Sequence, residues 1–380
     1  QELVMLRDTI RRFMQEEVKP VEDTLEHDAY TPPPGQLADL QRKARDLGLW
    51  LFETPAEHGG PGLNLLGQCV AAEETAKCRM GAYIAGCGAF GFDPPNVIWK
   101  GTEHQQRFAR QDVANGTKAF VAISEPSGGS DPGRAIQTRA ERKSDRYVIN
   151  GTKIWISGAG MAKWGIVFAR VGDSKGRDGI TSFVVDKSKP GISLSKIPVI
   201  RSYAPYEVHF TDYEVPIEDR LGEEGKGFRY ILSGMNAERI LIAAECIGDA
   251  KWFIKKATDY GSERNVFGRA IAQNQGVQFP IARCYAQMCA AELMVHHAAQ
   301  VFDAGGNPGA EANMAKLLAS EASWAAADMC VQTHGGFGFA EEYDVERKFR
   351  EARLYTVAPI STNLILSYLA EHVLGLPRSY

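Results

Sequence analysis

The chain has 380 residues, 44% of them hydrophobic, which is enough to bury two or three cores and to divide into two or three domains. A net charge of −4 leaves no basic footprint for nucleic acid or for an anionic membrane surface. Seven cysteines, odd in number and without a Cys-x-x-Cys pair, argue against a disulfide framework or a zinc site and for a reducing compartment. The sequence holds no apolar run of about 18 residues, the length a transmembrane helix requires.

Residues 1–115 read as helices. Leu3, Leu6, Ile10 and Phe13 follow helical spacing, Pro32-Pro33-Pro34-Gly35 interrupts, and Leu37–Leu47 resumes. From 117 to 215 the period changes to that of strands. Ala122–Asp131 (AISEPSGGSD) is a β-type run that ends in Glu125-Pro126 and a Ser/Gly cluster. Tyr147–Gly160 (YVINGTKIWISGAG) predicts a hairpin, with Asn150-Gly151 as a two-residue type I′ turn. Alternation along its second arm places Trp155 and Ser157 on one face, Ile154 and Ile156 on the other. A flat aromatic beside a hydroxyl, next to a glycine-rich loop, suits a planar heterocycle with a phosphate tail. The same residues also fit an ordinary core tryptophan beside a turn. Gly165–Val171, Ile180–Val185 and Tyr206–Phe210 are further short strands, as in a small sandwich or barrel. From Gly225 onward the pattern is helical again, as in a bundle.

One carboxylate stands out in that last block. Ile231, Met235, Glu238 and Ile242 share a helical stripe, so Glu238 interrupts an otherwise apolar face. It is either a base with a raised pKa in a dry pocket or the wet edge of the stripe. Lys251, Lys255 and Lys256 read as a solvated helix face. The histidines show no metal spacing, and no strand-linked Gly-x-Gly-x-x-Gly supports a nicotinamide site.

Taken together, Ala122–Asp131 and Tyr147–Gly160 resemble the flavin-binding signatures of the acyl-CoA dehydrogenase family. The resemblance extends over nearly the whole chain through Gly48–Gly60 (GLWLFETPAEHGG), Glu238-Arg239, Arg264–Gly268 (RNVFG) with Gln275, and Gln332–Gly338 (QTHGGFG), in the family's order. It implies an α+β protein with an N-terminal helical domain (1–115), a central small β-sandwich or barrel (116–222) and a C-terminal domain of four-helix-bundle type (223–380). It implies FAD as cofactor, an acyl-CoA substrate, an electron-transfer flavoprotein as partner and a homo-oligomer, dimer or tetramer. Val121, Ile123, Ser124, Gly129, Ser130, Trp155 and Ser157 then border the flavin or the CoA chain. Arg264, Phe267, Gln275, Gln332, Gly335 and Gly336 reach the FAD of a neighbouring subunit, and Ser361 and Asn363 contact FAD near the C-terminal helix. Asn236, Arg239, Ser130 and Ile360 fall on the substrate side.

The family places its catalytic base in one of two positions: a C-terminal Tyr-x-x-x-Glu-Gly-Thr segment, or a Glu before Arg on a bundle helix. Aligned on Tyr355 and Ser361, this chain has Pro359 in the Glu slot and Ile360 in the Gly slot, so the resemblance points to Glu238. Pro359 lacks the backbone N–H that helps polarise the thioester carbonyl, and Ile360 N–H is the substitute. That change leaves open another CoA-thioester reaction, an elimination such as a desulfinase's or an oxidase, or an idle scaffold member. Gln1-Glu2 is no signal peptide, and the missing Met points to trimming. The expected location is the bacterial cytoplasm, or the mitochondrial matrix if a targeting segment was removed.

Overall fold

Every residue of Trp164–Arg170 is buried, and this strand organises the middle of the chain. A computed structural model describes residues 1–173 and 176–378. The helices in chain order are α1 (Glu2–Phe13), α2 (Lys19–Glu22), α3 (Pro34–Asp46), α4 (Leu65–Thr75), α5 (Glu103–Asn115), α6 (Pro132–Ala135), α7 (Gly227–Glu263), α8 (Gln275–Asp303), α9 (Gly309–His334), α10 (Val345–Ala352) and α11 (Thr362–Tyr368). The strands are β1 (Phe120–Ala122), β2 (Arg139–Arg142), β3 (Arg146–Ile156), β4 (Trp164–Arg170), β5 (Ile180–Asp186), β6 (Ile192–Lys196), β7 (Tyr206–Pro216), β8 (Arg220–Leu221), β9 (Asn265–Val266) and β10 (Arg269–Ala270). The order helical, β, helical is the expected α+β arrangement. The chain forms two compact units, one of Gln1–Asp46, Leu63–Ala89 and Asn236–Tyr380, the other of Leu47–Gly62 and Phe90–Met235.

The second unit carries an eight-stranded sheet in the order β6-β7-β3-β2-β4-β5-β8, with β1 added parallel to β4. Because β4 is covered on both faces, it reads as a continuous apolar run rather than an alternating one. Val167 and Ala169 face a core shared with Phe183 and Val185 of β5 and with Tyr147, Ile149, Val208, Phe210 and Val215 of β3 and β7. Trp164, Ile166 and Phe168 face the opposite way, toward Ala109 of α5 and Ile231. The sheet curls far enough for non-neighbouring strands to meet: Tyr213 OH on β7 accepts from Asp186 N at 2.9 Å and donates to Asp186 O at 3.0 Å.

The expected hairpin at Asn150-Gly151 is absent. Instead β3 runs unbroken from Arg146 to Ile156 and pairs antiparallel with β7, some sixty residues on. Asn150 is occupied by a cross-strand partner: its Nδ2 donates to Asp212 Oδ1 at 3.0 Å, and Asp212 N donates to its Oδ1 at 2.8 Å. Gly151 serves close approach rather than a turn, since a Cβ there would lie 2.5 Å from Thr138 Oγ1 on the neighbouring segment. The simple alternation on the second arm also fails. A bulge between Lys153 and Ile156 puts Trp155 in the left-handed region, with φ +62°.

In the first unit α4, α7, α8 and α9 share a core dominated by alanine, including Ala243, Ala250, Ala291, Ala298, Ala315 and Ala319. Small side chains let the helices close: a Cβ on Gly248 of α7 would fall 2.4 Å from Glu73 O of α4. Asn64 Oδ1 caps α4 by accepting from Gly67 N, while the Asp303 carboxylate accepts from Leu65 N at 2.8 Å and Leu66 N at 3.0 Å. The expected solvated lysine face is only partly present. Lys255 is exposed and pairs with Asp259, but Lys251 donates to Glu73 at 2.8 Å and to Glu292 at 2.7 Å. His296 Nε2 completes this cluster, 2.8 Å from Glu73. Its hydrogen bond to Glu73 holds the imidazole pKa above the usual value, and the two cations hold Glu73 below its own against the cost of burial. Among the described residues all seven cysteines are free, and no helix is long and apolar enough to cross a membrane.

Candidate active site

In the β unit, the candidates of Ala122–Asp131 meet those at the end of β3. Ile154 N donates to Ser124 O at 2.9 Å, which ties the loop after β1 to the arm that carries Trp155. Val121 and Trp155 are exposed, and Trp155 leaves 57% of its surface open. Exposed apolar rings normally need a reason; here a left-handed backbone turns the indole outward. Ile123, Ser124 and Ser157 are half-buried beside it, and Gly129 and Ser130 are exposed. A Cβ on Gly129 would come within 2.9 Å of Ser124 Oγ, so the glycine backbone passes close to that hydroxyl. An open aromatic, a hydroxyl and exposed glycine backbone together make a face that fits the ring and phosphates of FAD.

Sequence reasoning missed what lies beneath that face. Lys153 is fully buried and donates to Glu125 Oε1 at 2.8 Å and to Ile123 O at 3.1 Å. The Glu125 carboxylate also accepts from Gln137 N at 2.6 Å and Thr138 N at 3.0 Å. Burial pulls the Lys153 ammonium down to about 8, with Glu125 opposing; the Glu125 carboxyl is held below its ordinary value because Lys153 and these donors outweigh its own desolvation. The alternation Tyr147, Ile149, Gly151, Lys153 was the available signal, since it places the lysine on the buried face of β3.

In the helical unit the candidates form three groups. The first is on α7. Solvent reaches the Glu238 carboxylate, yet surrounding protein displaces enough water that burial raises its pKa, with Arg239 pulling the other way. A side chain that is both reachable and desolvated sits in a recess rather than on a convex surface. Arg239 Nη1 donates to Asn236 Oδ1 at 2.9 Å, and the buried Arg239 Nε has no protein acceptor. Burial lowers the guanidinium pKa.

The second group surrounds the C-terminal loop. Lys316 of α9, wholly buried, donates to Ile360 O at 2.8 Å, and burial lowers its pKa to about 8, Cys246 opposing and Arg239 contributing. Among the described residues Ile360 N–H meets no protein acceptor. Pro359 is exposed, Ser361 Oγ caps α11 by accepting from Leu364 N, and Asn363 is exposed. The electrostatic coupling of Arg239 to Lys316 and to Tyr368 of α11 joins this group to the first.

The third group lies around the short β9–β10 hairpin. Phe267 (φ +53°) and Gly268 (φ +79°) are its two central residues, the pair of positive angles a type I′ turn demands. Phe267 is completely exposed at the tip. Arg264, just before, lies over the Phe337 ring at 5.5 Å, and Gly335 and Gly336 precede that ring with open space above them. Gln275 opens α8 and Gln332 lies in the last turn of α9, both exposed. Nearby His334, given no role from sequence, is buried with Nδ1 against Cys330 O at 2.8 Å and its ring stacked on Tyr260.

Comparison with known proteins agrees with this arrangement along the whole chain. Residues 1–117 match the N-terminal domain of acyl-CoA dehydrogenases, 115–213 the middle domain and 225–374 the C-terminal domain. An acyl-CoA dehydrogenase of Bacillus subtilis is 34% identical over 99% of this chain and 98% of its own length. An acryloyl-CoA reductase (NADH) of Anaerotignum propionicum is 34% identical over 92% and 89%. The solved glutaryl-coenzyme A dehydrogenase glutaryl-CoA complex superposes with a TM-score of 0.88 at 28% identity, covering 100% of this chain and 96% of that one. With a carboxylate recessed on the bundle helix and an open aromatic face on the β unit, the chain belongs to the acyl-CoA dehydrogenase family, oxidoreductases that act on the CH–CH group of acyl-CoA thioesters.

Proposed function

We propose that the protein dehydrogenates an acyl-CoA thioester between its α and β carbons and passes the electrons to an electron-transfer flavoprotein. The observation that carries this reading is Glu238, a recessed carboxylate whose raised pKa suits a base that takes the α proton. FAD, when bound, supplies the acceptor for the hydride leaving the β carbon. Val121, Ile123, Ser124, Trp155 and Ser157 support the ring and its polar edge, with Gly129 and Ser130 along the cofactor or the CoA chain. Asn236 orients Arg239 through their hydrogen bond, and the unpartnered Arg239 Nε is left for the substrate side.

Pro359 has no N–H to offer the thioester oxygen. Ile360 supplies the donor instead: its own N–H is unpaired while Lys316 pins its carbonyl. Arg264, Phe267, Gln275, Gln332, Gly335 and Gly336 reach the FAD of a second copy, which accounts for a fully exposed phenylalanine at a rigid hairpin tip. Ser361 and Asn363 approach FAD at the start of α11.

The test is anaerobic titration of the flavin-loaded protein with straight, branched, cyclic and acidic acyl-CoAs, followed by the visible spectrum. A suitable thioester bleaches the flavin. Glu238→Gln keeps the flavin and slows bleaching about 10²- to 10⁴-fold, the range for loss of a general base; undiminished reduction in that variant removes Glu238 as the base. Product formed with no bleaching and no acceptor moves the assignment to elimination.

A further inference from the structure

The buried ion pair below the Trp155 face joins three separate stretches of chain. Lys153 lies on β3, two residues before Trp155. Glu125 lies in the loop after β1, directly after Ser124. The amides of Gln137 and Thr138, just before β2, bind the far side of the same carboxylate. Lys153 donates in addition to Ile123 O, on the other side of Ser124. Lys153 and Glu125 expose 0% and 6% of their surface, so neither charge is solvated from outside. The pair is closed, and it is a meeting point of these segments beside the Ile154–Ser124 bond and the β2–β3 ladder.

We infer that Lys153 and Glu125 are positioning residues for the flavin face, fixing the Ser124 loop and the left-handed Trp155 backbone before any ligand binds. The argument is geometric. A left-handed tryptophan is strained, and such strain persists only where neighbouring structure over-determines the backbone. Here the residue two places before it is locked by a charge-assisted hydrogen bond to a carboxylate that is itself held by two backbone amides. Each member of the pair is one or two peptide units from a side chain that borders the face. Neither reaches the face itself, so both act through Ser124 and Trp155. The inference rests on the flavin reading above, and its test separates the two.

Wild type, Lys153→Met, the double variant Glu125→Gln/Lys153→Met and Asp219→Asn are compared in three measurements. These are the FAD dissociation constant, amide hydrogen exchange of 122–129 and 153–158 in the apoprotein, and the urea unfolding midpoint. Asp219 is a control in the same unit, buried and paired bidentately with Arg107 at 2.7 and 3.0 Å. Lys153→Met raises the FAD dissociation constant on the order of 10- to 100-fold, the loss typical when a partner that orients a binding group is removed. It also speeds exchange in both segments. The double variant recovers part of the urea midpoint, because no lone charge is stranded, but does not recover affinity; it carries the test if the single variant does not fold. Asp219→Asn lowers the midpoint and leaves FAD affinity and local exchange unchanged. The inference is overturned if Lys153→Met binds FAD as wild type does, or if affinity merely tracks the urea midpoint across the set, Asp219→Asn included. Wild-type protein that binds no FAD overturns the flavin reading instead, and apoprotein exchange still decides the role of the pair.

Discussion

Each of the two units buries a lysine completely and holds it near a pKa of about 8, yet the partners differ. Lys153 in the β unit faces a carboxylate that also collects two backbone amides. Lys316 in the helical unit donates to a single neutral carbonyl, that of Ile360. The first is a closed ion pair inside a sheet, where removing one partner strands a charge. The second is a tether on a loop, where removing the cation leaves only a polar oxygen to be rehydrated. The charge of the acceptor, rather than burial depth alone, is therefore expected to set what each buried cation is worth.

The largest expected effect follows from that contrast. Lys153→Met should destabilise the protein by about 3–5 kcal/mol, the usual penalty for an uncompensated buried charge, measured by urea unfolding. Lys316→Met should lose less, about 1–3 kcal/mol for one unsatisfied carbonyl, while slowing flavin reduction by freeing Ile360. Equal losses in the two variants would erase the distinction between pair and tether.

A pH series sharpens it. Lys316 is held below its unfolded value, so between its folded pKa near 8 and the ordinary lysine value the unfolded chain binds more protons than the folded one. Its contribution to stability therefore grows as pH rises from 8 toward 10, by at most about 1.4 kcal/mol per pH unit. Wild type minus Lys316→Met should show that positive slope, and a flat difference would deny Lys316 its depressed pKa.

The smallest effect concerns the cluster of Glu73, Lys251 and His296. His296 is held above its ordinary pKa by Glu73, so its stabilisation is present below the unfolded histidine value and is lost as pH rises through the folded one. His296→Gln should cost less than about 1 kcal/mol near pH 6 and nothing measurable near pH 9.

Much of the frame was legible because single elements announce themselves. Strand β4 is apolar from Trp164 to Ala169, so burial on both faces shows in the residues alone. The α7 stripe that singled out Glu238 is likewise a local pattern; the residue is reached by solvent, and burial by its surroundings raises its pKa. What failed was local chemistry overruled from a distance. Asn150-Gly151 has the composition of a turn, but β7 pairs on both sides of it across a register shift and Asp212 takes both groups of the Asn150 amide. Lys251 looks solvated on its own helix; its partners arrive from α4 and α8. The type I′ angles that were expected at Asn150-Gly151 occur at Phe267-Gly268, a pair that advertises only half the signal.

The outward-facing Trp155 also has an optical consequence. Of six tryptophans in the chain, Trp50 and Trp164 are buried and Trp99, Trp252 and Trp324 are partly covered, whereas Trp155 exposes more than half its surface. Its emission is therefore the red-shifted component, and the one a water-borne quencher such as acrylamide reaches first. A flavin that settles on that face absorbs where the indole emits, so occupancy removes this red component from the spectrum and takes the indole out of the quencher's reach. The protein thus carries an intrinsic dye at the place whose occupancy matters most.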